Sequence, residues 1–110
     1  MSRTIPRAYV TAVWSENPLL AKEQAQNYCS ALVKEGNLPL CPILAFDGIF
    51  SDEDTDAHKR RKEMSEDMLR RARTLVICGI EQNDEVKDDI AVAKKAKVIV
   101  TTLSGVIGYE

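Results

Sequence analysis

The chain is predicted to be a single α/β domain, a mostly parallel sheet of four or five strands with helices on both faces. Three observations predict it. First, 110 residues are enough for one hydrophobic core and too few for two. Second, four β-prone apolar runs alternate with three helical patterns, and every strand is followed by a crossover rather than a tight hairpin turn. Third, the apolar run Thr74–Cys78 passes through the polar loop after Gly79 into a helix with Val86, Ile90 and Ala93 on one stripe. A strand, a loop and then a helix is how open α/β sheets build a binding crevice at the carboxyl ends of their strands. The arrangement expected is therefore a three-layer αβα, Rossmann-like (flavodoxin-like) domain.

Arg7–Val13 alternates and is β-prone, a first strand. Asn17 then offers an N-cap, with Pro18 at the first helical position, where a missing N–H costs nothing. The helix runs to about Glu35 on the stripe Ala21, Ala25, Tyr28, Cys29 and Leu32, and Gly36 stops it in the left-handed region. Leu38–Cys41 is a short strand whose Pro39 suits a sheet edge. Pro42–Asp54 reads as the longest irregular segment, apolar at first and then acidic at Asp47, Asp52, Glu53 and Asp54. A second helix is expected from about Thr55 to Arg73, with Ala57, Met64, Met68, Leu69 and Ala72 inward. Lys97–Thr102 is the fourth strand. The remainder, Leu103–Glu110, reads as a short extra strand or a docking tail.

Composition narrows the function. Apolar residues make up 45% and charged residues 29%, as expected of a globular protein, while aromatics at 5% leave an aliphatic core. A net charge of −2 supplies no footprint for nucleic acid. One basic run, Lys59–Lys62, reads most simply as a solvated helix face, with a phosphate or partner patch as the alternative. Cys29, Cys41 and Cys78 are odd in number and each lies in an expected helix or strand, which suits reduced, buried thiols and a cytoplasmic location. His58 is the only histidine. Neither a zinc ligand set nor a calcium-loop spacing is present, so no metal is expected. No glycine-rich phosphate loop occurs, so no dinucleotide or other cofactor is expected. No apolar run approaches bilayer length, and no membrane partner is expected.

What the expected crevice does offer is carboxylates and aromatics. Asp84, Glu85, Asp88 and Asp89 head the helix after the third strand; Glu63 and Asp67 lie on the second helix. Tyr9 is in the first strand and Trp14 just beyond its end. Carboxylates beside a tyrosine suit chemistry through an oxocarbenium-like sugar, in which one carboxylate attacks or stabilises C1′. Trp14 is able to stack on a nucleobase. Each residue also has a plainer reading. Acids in a first helical turn favour the macrodipole, and Tyr9 and Trp14 suit a core and a sheet end.

The chain resembles the nucleoside 2-deoxyribosyltransferase-like family over roughly residues 7 to 102. The resemblance is carried by Ala8-Tyr-Val-Thr-Ala-Val-Trp14, by Leu38-Pro-Leu-Cys-Pro-Ile-Leu-Ala-Phe46, by the acidic stretch Glu63–Ala72, and by Asp89-Ile-Ala-Val-Ala-Lys94. It implies transfer or hydrolysis of an N-glycosidic bond, with Asp89 at the nucleophile's position, Tyr9 orienting it and Asp67 assisting proton transfer or contacting the base. It implies Trp14, Phe46, Glu63 and Asn83 as substrate contacts, and a homo-oligomer, a dimer or larger, in which Tyr109 reaches a neighbour's site. The chain departs from the family pattern at Asp89, one methylene shorter than the usual glutamate. It departs again at Asn83-Asp84-Glu85-Val86, where small residues usually hold a phosphate, and in a first turn without glycine. Two acids there make a nucleotide monophosphate a poor ligand for that loop. Three readings follow: a nucleoside-processing enzyme, a catalytically degenerate relative that binds a nucleoside or nucleotide derivative, and an oligomeric interaction module.

Overall fold

The structure, a computed structural model, describes residues 4–51 and 55–108. Asp52, Glu53, Asp54 and Tyr109, singled out above, lie outside the described residues. Nine elements follow in order: β1 Arg7–Thr11, α1 Pro18–Lys34, β2 Leu38–Leu40, α2 Pro42–Ala45, α3 Ala57–Arg70, β3 Thr74–Ile77, α4 Asp84–Lys95, β4 Ile99–Thr102 and α5 Leu103–Ile107. The four strands form one sheet in the order β2-β1-β3-β4, and every pair is parallel. The α/β architecture expected from the sequence is the one observed.

The two faces of the sheet are set by alternation along β1. Ala8, Val10 and Ala12 pack against Ala25, Cys29 and Leu32 of α1, with Leu103 and Val106 of α5 completing that layer. Tyr9 points to the other face and joins Leu69 and Ala72 at the end of α3, Leu75 of β3, and Ala93 of α4. Thr11, two residues on, shares that second face and is the buried polar residue among the described positions. Cys29, Cys41 and Cys78 are free buried thiols.

Helix ends follow local chemistry. Asn17 accepts hydrogen bonds from the N–H groups of Leu19 and Leu20 at the start of α1. At its end the Asn37 N–H reaches the Leu32 carbonyl and the Gly36 N–H reaches that of Val33, a Schellman motif around the left-handed Gly36 (φ 83°). The same motif ends α4, where Val98 N–H meets the Ala93 carbonyl and Lys97 N–H meets that of Lys94. There the left-handed position is filled by Lys97, at φ 63°.

Four expectations change. The first strand stops at Thr11, because the Cys78 N–H makes the last ladder bond to the Thr11 carbonyl and the chain then leaves the sheet. The segment after Cys41 is not wholly irregular; Pro42 starts a single helical turn, α2. The helix from Thr55 to Arg73 is shorter, and Met64 is 49% exposed rather than core, since the inward line of α3 runs through Arg61, Ser65, Leu69 and Ala72. The described part of the C-terminal segment is a helix, not a strand. Thr102 caps α5 by accepting from the Gly105 N–H, and Leu103 and Val106 turn its apolar side onto the α1 layer.

Candidate functional site

The chain's route from β1 to β2 on one side, then across to β3 on the other, makes the β1/β3 boundary a topological switch point. A cavity of about 410 Å³ lies there, within the range of small-molecule sites. Tyr9 and Val10 of β1 form its base, and Trp14, just past that strand, forms one rim. One wall is α4, through Glu85, Asp88 and Asp89, spaced i, i+3 and i+4 on one helix face. The facing wall is α3, through His58, Arg61, Lys62, Ser65 and Glu66, again at helical spacing.

Asp89 is the best-positioned group. Its Oδ2 accepts a 2.7 Å hydrogen bond from the Thr11 hydroxyl. Burial pushes its carboxyl up to about 6, and the charges of Glu85, Asp88 and Glu66 push the same way while the Thr11 bond opposes them. At neutral pH it is largely ionised, and it changes charge in the range where a general base or acid is useful. Tyr9 is only 3% exposed. Burial raises its phenol first, the Asp89 charge adds to this, and a hydrogen bond with Ser65 and the positive Arg61 act against it. The phenol therefore stays neutral beside an ionisable carboxyl.

Trp14 packs on Tyr28 with ring centroids 6.1 Å apart and also lines a second cavity of about 470 Å³. The two cavities share Trp14, Ser15, Glu16, Ile43 and Arg61 and so adjoin. Phe46 lines the second one, edge-on to Phe50 at 5.6 Å. Lys22 and Asp47, at 3.0 Å, form an ion pair at its edge.

The structure thus brings Asp89, Tyr9 and Trp14 to one cavity and puts Phe46 in the neighbouring one. It does not bring Asp67 there. That side chain sits on the exposed face of α3, 3.0 Å from Arg71 one turn on. Glu63 is exposed and lines neither cavity. Asn83 is the N-cap of α4, its side chain accepting from the Val86 N–H at 3.0 Å, which satisfies a helix-end donor. Thr11, Ser65 and Glu66 were not picked out from the sequence, and Arg61 only as part of the basic run Lys59–Lys62. A signal existed for each: Thr11 is at i+2 from Tyr9, and positions 58, 61, 62, 65 and 66 form one polar helical stripe. Among the described residues no group of three or more His, Cys, Asp and Glu side chains is placed to hold a metal ion. Likewise no helix there is long and apolar enough to cross a membrane.

A three-layer α/β domain with its cavity at the strand switch point defines the class. Among solved structures, the 2-deoxyribosyltransferase of the psychrotolerant bacterium Bacillus psychrosaccharolyticus has a similar fold, with a TM-score of 0.71 at 8% sequence identity, over 87% of this chain and 70% of that one. Residues 6–103 match the family described as "Domain of unknown function (DUF7768)", and the chain belongs to it. No curated protein matches the chain.

Proposed function

We propose that the cavity between α3 and α4 binds a nucleoside and that Asp89 acts on its N-glycosidic bond. One juxtaposition carries this reading: a carboxylate fixed by Thr11, a neutral buried phenol and a half-buried indole share a cavity at the switch point. The likeness of the fold to a 2-deoxyribosyltransferase supports it.

In the reaction proposed, an Asp89 oxygen bonds to C1′ as the C1′–N bond breaks. The electron pair leaves on the base, which takes a proton from an acid in the cavity. Glu66, Glu85 and Asp88 line it, and Glu66 fills that role better than Asp67, which points to solvent. Water then attacks C1′, releases the carboxylate and returns a proton to the acid; a second base in place of water gives transfer. Tyr9 orients the carboxylate. Trp14 offers a ring for the base.

A second reading, binding without turnover, is favoured by one observation. Asp89 is one methylene shorter than the glutamate usual in the deoxyribosyltransferase-like family that the chain resembles, and one of its oxygens already serves Thr11. The two readings are separated by incubating purified protein with the common deoxynucleosides and measuring free base. Release that Asp89→Ala abolishes supports the enzyme. No release, with a raised melting temperature in a nucleoside, supports the binder, and neither response sinks both.

A homo-oligomer and a cytoplasmic location belong to the same proposal. Leu19 and Leu20 are 71% and 50% exposed at the start of α1, a surface suited to a second copy. Light scattering at micromolar concentration tests the assembly. The free buried thiols suit a reducing compartment.

A further inference from the structure

The two long walls of the cavity differ in charge. Glu85, Asp88 and Asp89 stand on α4; α3 carries Arg61 and Lys62, with His58, beside one acid, Glu66, which pairs with Arg70, and Glu16 lies on the rim. Opposite charges this placed would ordinarily pair, yet among the described residues no carboxylate comes within ion-pair distance of Arg61 or Lys62. The acids of α3 that pair, Asp67 with Arg71 and Glu66 with Arg70, use cations one turn toward the helix C-terminus instead. The cations also sit in the first two turns of α3, where the helix dipole is already positive and no acid occupies the first turn. Unpaired positive charge is thus gathered on one side of a cavity, at the end of a helix that disfavours it. Arg61 lines both adjoining cavities and so stands at their junction.

From this arrangement we infer that Arg61 and Lys62, with His58, form an anion subsite that takes the phosphate of a nucleoside 5′-phosphate. This deepens the nucleoside reading and rests on it for the rest of the ligand. The repulsion expected from Asp84 and Glu85 applies to a phosphate at the start of α4. A phosphate on α3 lies across the cavity from those acids and leaves the sugar between the walls, facing Asp89. Arg61 suits this task because its planar fork gives two parallel N–H bonds to phosphate, and Lys62 adds a point charge.

The test is calorimetric titration of the full chain with a deoxynucleoside, its 5′-monophosphate and inorganic pyrophosphate, at low and at physiological salt. The monophosphate is expected to bind at least tenfold more tightly than the nucleoside. Arg61→Gln and Lys62→Gln should each remove most of that advantage, as well as pyrophosphate binding. Both positions are on a polar helix face, and melting curves of the variants confirm folding. Equal affinity for nucleoside and monophosphate overturns the inference, as does an advantage that survives both substitutions. If no nucleoside or nucleotide binds, pyrophosphate decides separately: binding lost in Arg61→Gln keeps the anion subsite and sinks the nucleoside reading, and no pyrophosphate binding sinks the subsite.

Discussion

The Thr11 hydroxyl donates to Asp89 Oδ2 at 2.7 Å, joining residues 78 positions apart in the chain. The bond ties the end of β1 to the second turn of α4 and places a partly buried carboxylate over the switch point of the sheet. Neither residue has this property alone. Thr11 is buried because it shares a sheet face with Tyr9, and Asp89 is half-buried because α4 packs across that face.

Removing the charge of Asp89 is expected to stabilise the fold in a pH-dependent way. Its folded-state value is raised to about 6 from 3.8, so the protonated form suits the fold and stability falls as pH rises through that interval. Two units correspond to about 3 kcal/mol, and solvent screening at a partly exposed group reduces this to about 1–2 kcal/mol. Asp89→Asn should therefore be more stable than wild type at pH 8 and nearly equal to it at pH 4. Denaturant titrations at both values check this, and a variant less stable at pH 8 contradicts it.

Activity should run the opposite way with pH. In the proposed reaction the ionised carboxylate is the attacking form, so base release is expected to fall as pH drops through about 6. Thr11→Val removes the one interaction that lowers this value, and the midpoint of the profile should move up. It should also cost about 1.5–3 kcal/mol at pH 8, the range for a hydrogen bond to a charged group. Thr11→Ser should restore both, whereas a purely steric role for Thr11 leaves the midpoint where it was.

Asp67 and Glu66 are neighbours in sequence with different surroundings, and substitution should tell them apart. Asp67→Asn breaks only an exposed pair with Arg71, worth about 0–1 kcal/mol, and should leave ligand binding within twofold. Glu66→Gln alters the cavity wall and should change base release by tenfold or more. Parallel assays of the two variants settle which acid serves the site.

Lys97 is a left-handed residue where α1 uses glycine in the same motif. Lys97→Gly relieves the Cβ crowding at φ 63°, and a gain of about 0.5–1 kcal/mol is expected after the added flexibility of glycine is counted. A melting temperature that drops instead shows that the lysine chain contributes packing the backbone argument omits.

Much of the scaffold was legible from the residues. Asn17, Pro18 and Gly36 marked both ends of α1, Pro39 marked an edge strand, and the Val86–Ile90–Ala93 stripe marked α4. These are local signals, since a cap, a φ preference or a helical period is written within a few residues of where it acts. Sequence reasoning was less sure where two local preferences compete. Leu103–Ile107 has the apolar content of a strand but is a helix, because Thr102 caps it and the α1 layer takes its apolar side.

The site divides in the same way. Sequence by itself pointed to Asp89, Tyr9 and Trp14, because they lie in the first strand, just beyond it, or in the first turns of the helix after the third strand, the segments that border the crevice of such a sheet. Only tertiary structure put Glu66 on the cavity wall and Asp67 and Glu63 on the exposed face, turned Asn83 into a helix cap and set Arg61 and Lys62 across from the α4 acids. The reason is rotational: neighbouring residues on a helix point 100° apart, so one of two adjacent acids lines the cavity and the other meets water. Which one it is depends on how α3 rolls against the sheet, and that is fixed by Leu69 and Ala72 packing with residues far away in the chain.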